Sequence, residues 1–148
     1  MNYVLDMYRL MFTSLRRGNT QGVYSKAKPV FLITLLDYIP LYEDNKLKWG
    51  DELFHENYLH NFEMEENLKP TPMWKPFFYL SSEPFYTLVW RENPPCNLLK
   101  HPSAKLLKEY LDYAKLDDEL WKLLQDESNR AYLRECIIKN YSSFGFRL

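Results

Sequence analysis

Residues 29–39, Pro-Val-Phe-Leu-Ile-Thr-Leu-Leu-Asp-Tyr-Ile, constrain this chain more than any other stretch. A helix lying on a protein surface shows a polar face once per turn. This run does not, so it predicts a helix apolar nearly all round and therefore buried, which the rest of the chain must cover. Pro29 suits the first helical position, where its missing N–H costs no hydrogen bond, and Pro40 ends the helix. The residues just before it, Ser25-Lys26-Ala27-Lys28, are polar and basic. A helix N-terminus carries partial positive charge and free N–H donors. Lys26 and Lys28 at such a start make a candidate site for an anion such as a backbone phosphate. The plainer reading of the same residues is a core helix preceded by two solvated lysines.

A chain of 148 residues with 46% hydrophobic residues, 17% aromatics and only 4 glycines is globular, and residues 1–148 read as a single domain. Its formal net charge of −1 argues against indiscriminate nucleic-acid binding. The charge is unevenly spread, however. Residues 1–28 hold five bases against one acid, residues 29–70 three against nine, and residues 71–108 five against two. One basic and one acidic face would steer a polyanion to one side. Cys96 and Cys136 are too few and too unpatterned for a disulfide framework, which points to a reducing compartment. No apolar run approaches the roughly 18 residues of a membrane span. Asp6 and Arg9 interrupt the N-terminus where a signal peptide would be apolar. The expected location is cytoplasmic, without membrane contact.

In chain order, residues 2–16 carry Tyr3, Val4, Met7, Tyr8, Leu10, Met11 and Leu15 at helical spacing, with Arg16-Arg17-Gly18-Asn19 as the stop. An acid-free loop leads to the buried helix. Lys46-Leu47-Lys48-Trp49 reads as a short strand. Asp51 is a good N-cap for a third helix through Phe54, Tyr58 and Phe62, closed by Glu63–Glu66. Pro70, Pro72 and Pro76 make an extended connector, one or two of whose Trp74, Lys75 and Tyr79 side chains should be exposed. Ser81–Pro84 is a turn, and Phe85–Trp90 is the best strand. The last third reads as three helices. Ser103 caps one through Leu106, Leu107 and Leu111, Asp117 a second, and Ser128 or Asn129 a third. The expected fold is α+β and mainly α, a helical domain of four to six helices with a small antiparallel sheet, winged-helix-like in outline.

The chemistry-bearing residues exclude more than they assign. His55 and His60 stand five apart, about 140° around a helix, whereas a zinc-protease pair stands four apart, about 40°. They do not converge on one ion, and no metal and no cofactor are expected. There is no glycine-rich phosphate loop and no serine or cysteine nucleophile signature. Asp117-Asp118-Glu119 complements a helix dipole. No catalytic constellation is present, so an enzyme is not expected. Basic loops interleaved with aromatics are the stronger signal: Arg16, Arg17, Lys26 and Lys28 around one loop, Lys75 in Trp74-Lys75-Pro76-Phe77-Phe78-Tyr79, and Arg91 after the main strand. Such a set suits a phosphate backbone beside an apolar surface.

Three stretches in order resemble HNH-type restriction endonucleases. Lys28-Pro29-Val30-Phe31-Leu32-Ile33-Thr34-Leu35-Leu36-Asp37 is similar to that family's Lys-Pro-apolar-Leu-Leu-Asp stretch. Trp74-Lys75-Pro76-Phe77-Phe78-Tyr79-Leu80 resembles its Pro-Phe-x-x-Leu motif before a strand. Tyr113–Leu124, Asn129–Arg134 and Asn140-Tyr141 resemble its leucine-aspartate helix, arginine-leucine helix and terminal aromatic. Together they cover most of residues 24–144. The region resembled is the non-catalytic module ahead of the HNH nuclease. In McrA-like type IV enzymes this is a sulfur-binding domain that reads phosphorothioate-modified DNA with basic residues on the backbone and a small apolar pocket around the sulfur. The resemblance implies DNA contact by Lys28, a pocket wall at Pro76, and further contacts from the flanking cations. This chain departs from the pattern in three places: Ala27 where histidine or arginine is common, Lys75 where an aromatic is common, and Tyr79 where sulfur binders have a small residue.

The expected function is a DNA-binding module of a restriction-related bacterial defence system, reading phosphorothioate or otherwise modified double-stranded DNA. Arg16, Arg17, Lys26, Lys28, Lys75, Pro76, Tyr79 and Arg91 would form its DNA-binding face. The chain stops at Leu148, where an HNH portion would begin. It is therefore expected not to cleave DNA alone, the nuclease being supplied by another chain or lost by truncation. The alternative is a protein–protein interaction module of a defence complex that has lost DNA binding. The discriminating property is whether residues 16–28, 75–79 and 91 share one face.

Overall fold

The computed structural model describes residues 2–20, 23–63 and 70–141. Its axis is α2 (Ala27–Tyr38), in which every side chain except that of Asp37 is buried. Helix α3 (Glu52–Glu63), the short α4 (Trp74–Tyr79) and α8 (Glu127–Asn140) pack around it. Even its one exposed residue is used, since Asp37 holds the Arg134 guanidinium on α8 at 2.8 and 3.4 Å. Buried Thr34 donates its hydroxyl to Val30 O (2.8 Å) and accepts from Asn61 Nδ2 (2.8 Å), so this polar group between α2 and α3 is satisfied.

The aromatic surplus is spent mainly in the core. The Phe31 ring meets Phe54, Tyr58, Phe77 and Tyr86 edge-on, with centroids 5.3, 6.3, 5.8 and 6.1 Å away. That edge-to-face arrangement suits the quadrupoles of the rings. Four elements, α2, α3, α4 and a strand, thereby meet at one side chain.

Helix α1 (Tyr3–Phe12) packs on α8. It stops four residues before the expected Arg16. The Thr13 backbone N–H and hydroxyl both reach Arg9 O, at 3.0 and 2.9 Å, and this local competition ends the helix. Inside α1, buried Tyr8 donates its hydroxyl to Asp117 Oδ2 at 3.1 Å. Burial, reinforced by that carboxylate, pushes the phenol up to about 12 from its ordinary 10.0. The fold favours the neutral phenol, so this stabilisation is complete below pH 10 and is lost as pH rises through about 12. Burial raises Tyr58 and Tyr86 as well. Thermal melts should therefore show stability falling above pH 10, and Tyr8→Phe should fall less steeply over that range. Parallel declines in the two proteins would remove Tyr8 from the account.

A two-stranded ribbon, β1 (Asn19–Thr20) and β2 (Val23–Tyr24), follows, where the sequence reads as a loop. The main sheet is antiparallel: β3 (Leu47–Lys48) and β4 (Tyr86–Trp90) flank a central β5 (Leu111–Leu116). The strands expected around Leu47 and over 85–90 are present. The central strand is not legible in the sequence, because Leu106, Leu107 and Leu111 continue the spacing of α6 (Ala104–Tyr110). Pairing on both edges overrides that local pattern. Asn45 completes the end of β5, donating from Nδ2 to Leu116 O (2.6 Å) and accepting the Leu116 N–H at Oδ1 (2.9 Å).

Several expected boundaries shift. Ala27, not Pro29, opens α2, and Pro29 lies third, still within the turn whose N–H groups have no helical partner. The connector at 74–79 is the helix α4, with Pro76 likewise third. Asp126 caps α8 by accepting the Ser128 N–H at 2.8 Å, in place of Ser128 or Asn129. Ser103 caps α6 as expected, and Asp51 caps α3 by accepting the Phe54 N–H at 3.1 Å. Two further short helices are α5 (Cys96–Lys100) and α7 (Asp118–Leu123). The described residues thus hold eight helices where four to six are expected: α7 is the helix expected behind Asp117, and the two beyond six are the short α4 and α5, of six and five residues. The class is α+β, mainly α. The expected closure of α3 by Glu63–Glu66 falls largely outside the described residues.

Candidate nucleic-acid interface

The two Lys-Pro pairs occupy equivalent places. Lys28-Pro29 and Lys75-Pro76 are the second and third residues of α2 and α4. In both, proline presets the backbone of the first turn while lysine is carried at the helix start. The two starts open on one cavity of about 390 Å³. Ala27, Pro76 and Tyr79 supply apolar wall, and Arg16, Arg17, Lys28 and Lys75 supply four cations. Among the described residues, no acid lines it. Gly18 and Ser25, at the two ends of the β1–β2 ribbon, close one side, pinned by the Ser25 N–H donating to Gly18 O at 2.7 Å.

The four cations are held differently. Arg16 and Lys75 are exposed, and Lys75 Nζ stands 5.7 Å from the centre of the Trp74 ring. Arg17 is half-buried, its guanidinium 4.6 Å from the Tyr141 ring centre and 5.0 Å from that of Tyr24. These cation–π contacts leave the charge in place while fixing its position. Lys28 is buried. Its ammonium donates to Ser82 Oγ at 2.9 Å and to Glu83 Oε2 at 3.0 Å. The same Glu83 oxygen accepts the Arg16 backbone N–H at 3.0 Å. One buried carboxylate therefore ties the start of α2 to the chain leading into the ribbon.

Of the residues singled out from sequence, Arg16, Arg17, Lys28, Lys75, Pro76 and Tyr79 meet at this cavity. Lys75 and Tyr79 are exposed, and Trp74 is half-buried. Lys26 is the N-cap residue of α2, one position before the wall residue Ala27. Arg91 lines a different hollow, of about 620 Å³, with Trp49, Trp74 and Lys108. The segment 71–75 runs between the two, with Thr71 and Lys75 facing one and Pro72, Met73 and Trp74 the other. His55 and His60 are both exposed on α3, and no group of three metal-ligating side chains forms among the described residues. Sequence reasoning missed Glu83, Ser82 and the ribbon. One signal was present: Glu83 is the only acid between residues 71 and 91.

No family profile and no curated protein matches the chain by sequence. Solved structures do match by fold. The chain is similar to the sulfur binding domain and SRA domain of ScoMcrA complexed with phosphorothioated DNA, at 14% identity and TM-score 0.72, covering 90% of this chain and 42% of that one. It is equally similar to the sulfur binding domain of ScoMcrA complexed with phosphorothioated DNA, at 13% identity and TM-score 0.72, covering 92% of this chain and 87% of that one. A third match is the sulfur binding domain of SprMcrA complexed with phosphorothioated DNA, at 17% identity and TM-score 0.65, with coverages of 92% and 84%. The chain thus spans less than half of the two-domain ScoMcrA structure and most of each isolated domain. Over nine-tenths of its length, it has the fold of the sulfur binding domains of McrA-type restriction enzymes.

Proposed function

We propose that this chain is a DNA-binding module that reads backbone-modified duplex DNA, with a phosphorothioate linkage as the modification its cavity suits. The observation that carries the reading is the cavity itself: Arg16, Arg17, Lys75 and the Glu83-paired Lys28 around an apolar wall, with no acid on the lining among the described residues. It lies in a fold whose solved neighbours are complexed with phosphorothioated DNA. Exposed Arg16 and Lys75 meet phosphates on either side and supply sequence-independent affinity. Pro76, Ala27 and Tyr79 offer an apolar surface to a sulfur atom, which gives up its hydration more cheaply than a phosphate oxygen. Tyr79 stands at the rim, its ring 5.1 Å from that of Phe78, and the cavity persists beside it, so the ring acts as wall and not as plug. Lys26, the N-cap of α2, extends the basic track on one side, whereas Arg91 opens on the neighbouring hollow with Asp51 and Glu52.

In this reading the module recognises DNA, and cleavage is supplied by a nuclease outside these residues. No described helix is long and apolar enough to cross a membrane, and we place the protein with DNA in the cytoplasm.

The test is binding to short duplexes with and without one phosphorothioate linkage, at two salt concentrations. The expected result is tighter binding to the sulfur duplex, with both affinities falling as salt rises. Equal salt-sensitive binding to both would retain DNA binding and remove the sulfur reading. No binding to either at low salt would make the chain a protein-interaction module instead.

A further inference from the structure

Glu83 is 5% exposed and sits where the turn after α4 enters β4. Its Oε2 is shared by the Lys28 ammonium and the Arg16 N–H, both at 3.0 Å. Lys28 spends a second N–H on Ser82 Oγ at 2.9 Å. An ammonium has three N–H donors, so one remains for whatever enters the cavity that Lys28 lines. The pair is net neutral. Lys28 therefore offers a directed N–H without a free charge.

This matters because phosphate and phosphorothioate linkages each carry one negative charge. A free ammonium attracts both, and the more compact, better-hydrated oxygen gains at least as much from it. With the charge cancelled, the balance turns on what each atom loses by leaving water. Beside Ala27, Pro76 and Tyr79 an oxygen surrenders hydration that only one N–H replaces, whereas sulfur surrenders less. We propose that Glu83 is the specificity-determining residue of this module, a positioning residue acting through Lys28. It cancels that lysine's charge so that desolvation, and not attraction, selects what enters the cavity. The inference rests on the DNA-reading function proposed above.

The experiment measures observed affinity against salt for the plain and the phosphorothioate duplex, with the wild type, Glu83→Gln and the double variant Lys28→Gln/Glu83→Gln. Glu83→Gln frees the ammonium. It should bind the plain duplex more tightly at low salt, steepen its log–log salt slope by about 0.9, and lower the sulfur-to-plain affinity ratio several-fold. The double variant removes both charges and leaves the apolar wall intact, so it should keep both the wild-type salt slope and the sulfur preference. Folded Glu83→Gln with the wild-type slope and ratio overturns the proposal. So does a double variant whose slope is shallower by about 0.9, since Lys28 would then have acted as a free charge. If Glu83→Gln does not fold, the double variant, which buries no charge, decides alone. Wild type binding both duplexes equally removes the sulfur reading, and the plain-duplex slopes still decide whether Glu83 cancels Lys28. Wild type binding neither overturns both.

Discussion

Phe31→Ala is expected to lower the free energy of unfolding by about 3–5 kcal/mol, the usual cost of emptying a large buried aromatic site. Phe31 is fully buried on α2, and its ring touches the rings of four residues on three other elements. Truncation removes the apolar area and leaves a hole bounded by rings that cannot all move inward, because their own elements are fixed elsewhere. Tyr86 is tied through its hydroxyl to Phe77 O (2.5 Å), and Tyr58 through its hydroxyl to Thr71 O (2.8 Å). A domain of this size is stable by about 5–15 kcal/mol, so the variant stands near the edge of folding. Urea denaturation of wild type and variant measures the difference. A loss below about 1 kcal/mol would mean that the cluster repacks and that Phe31 is not the residue on which α2, α3, α4 and β4 are joined. Phe77 and Pro76 are neighbours on α4, so loosening this cluster should also reach the cavity wall.

Lys28→Ala should destabilise the protein by about 3–5 kcal/mol, more than its role as one DNA contact requires. The substitution strands Glu83 as an uncompensated buried carboxylate and empties the space of the lysine stem. The apolar pair Lys28→Met/Glu83→Leu should cost much less, because it strands no charge and restores the packing, and only the Arg16 N–H and the Ser82 hydroxyl lose a partner. Urea denaturation of the three proteins separates the cases. A Lys28→Ala variant as stable as wild type would show that water reaches Glu83 and that the pair is not insulated. Loss of DNA binding in Lys28→Ala alone therefore says little about contact with DNA, and the salt-slope comparison of Glu83→Gln with the double variant is the informative one.

Local chemistry was strong enough to be read directly where one segment decided its own state. The apolar run after Pro29 has no polar face, and burial was its only stable outcome. Asp51 and Ser103 each cap the helix that follows, and the β-branched and aromatic stretch at 86–90 is a strand. The cationic residues were legible as candidates because Arg16, Arg17, Lys28 and Lys75 adjoin turns and helix starts. Three of the outcomes depended on partners distant in sequence. Strand β5 carries the spacing of a helix and is a strand only because β3 and β4 both pair with it. The convergence of Lys28-Pro29 with Lys75-Pro76 needed α4 to pack on α2 across some forty-five intervening residues, while Arg91 lines a neighbouring hollow. The state of Lys28 was beyond local reading too. A lysine in a basic loop looks like a free charge until the fold brings a buried carboxylate from fifty-five residues away to within 3.0 Å. Periodicity, capping and composition act over a few residues and are written in the chain. Register, convergence and charge pairing are set by contacts between segments, and only the tertiary structure decided them.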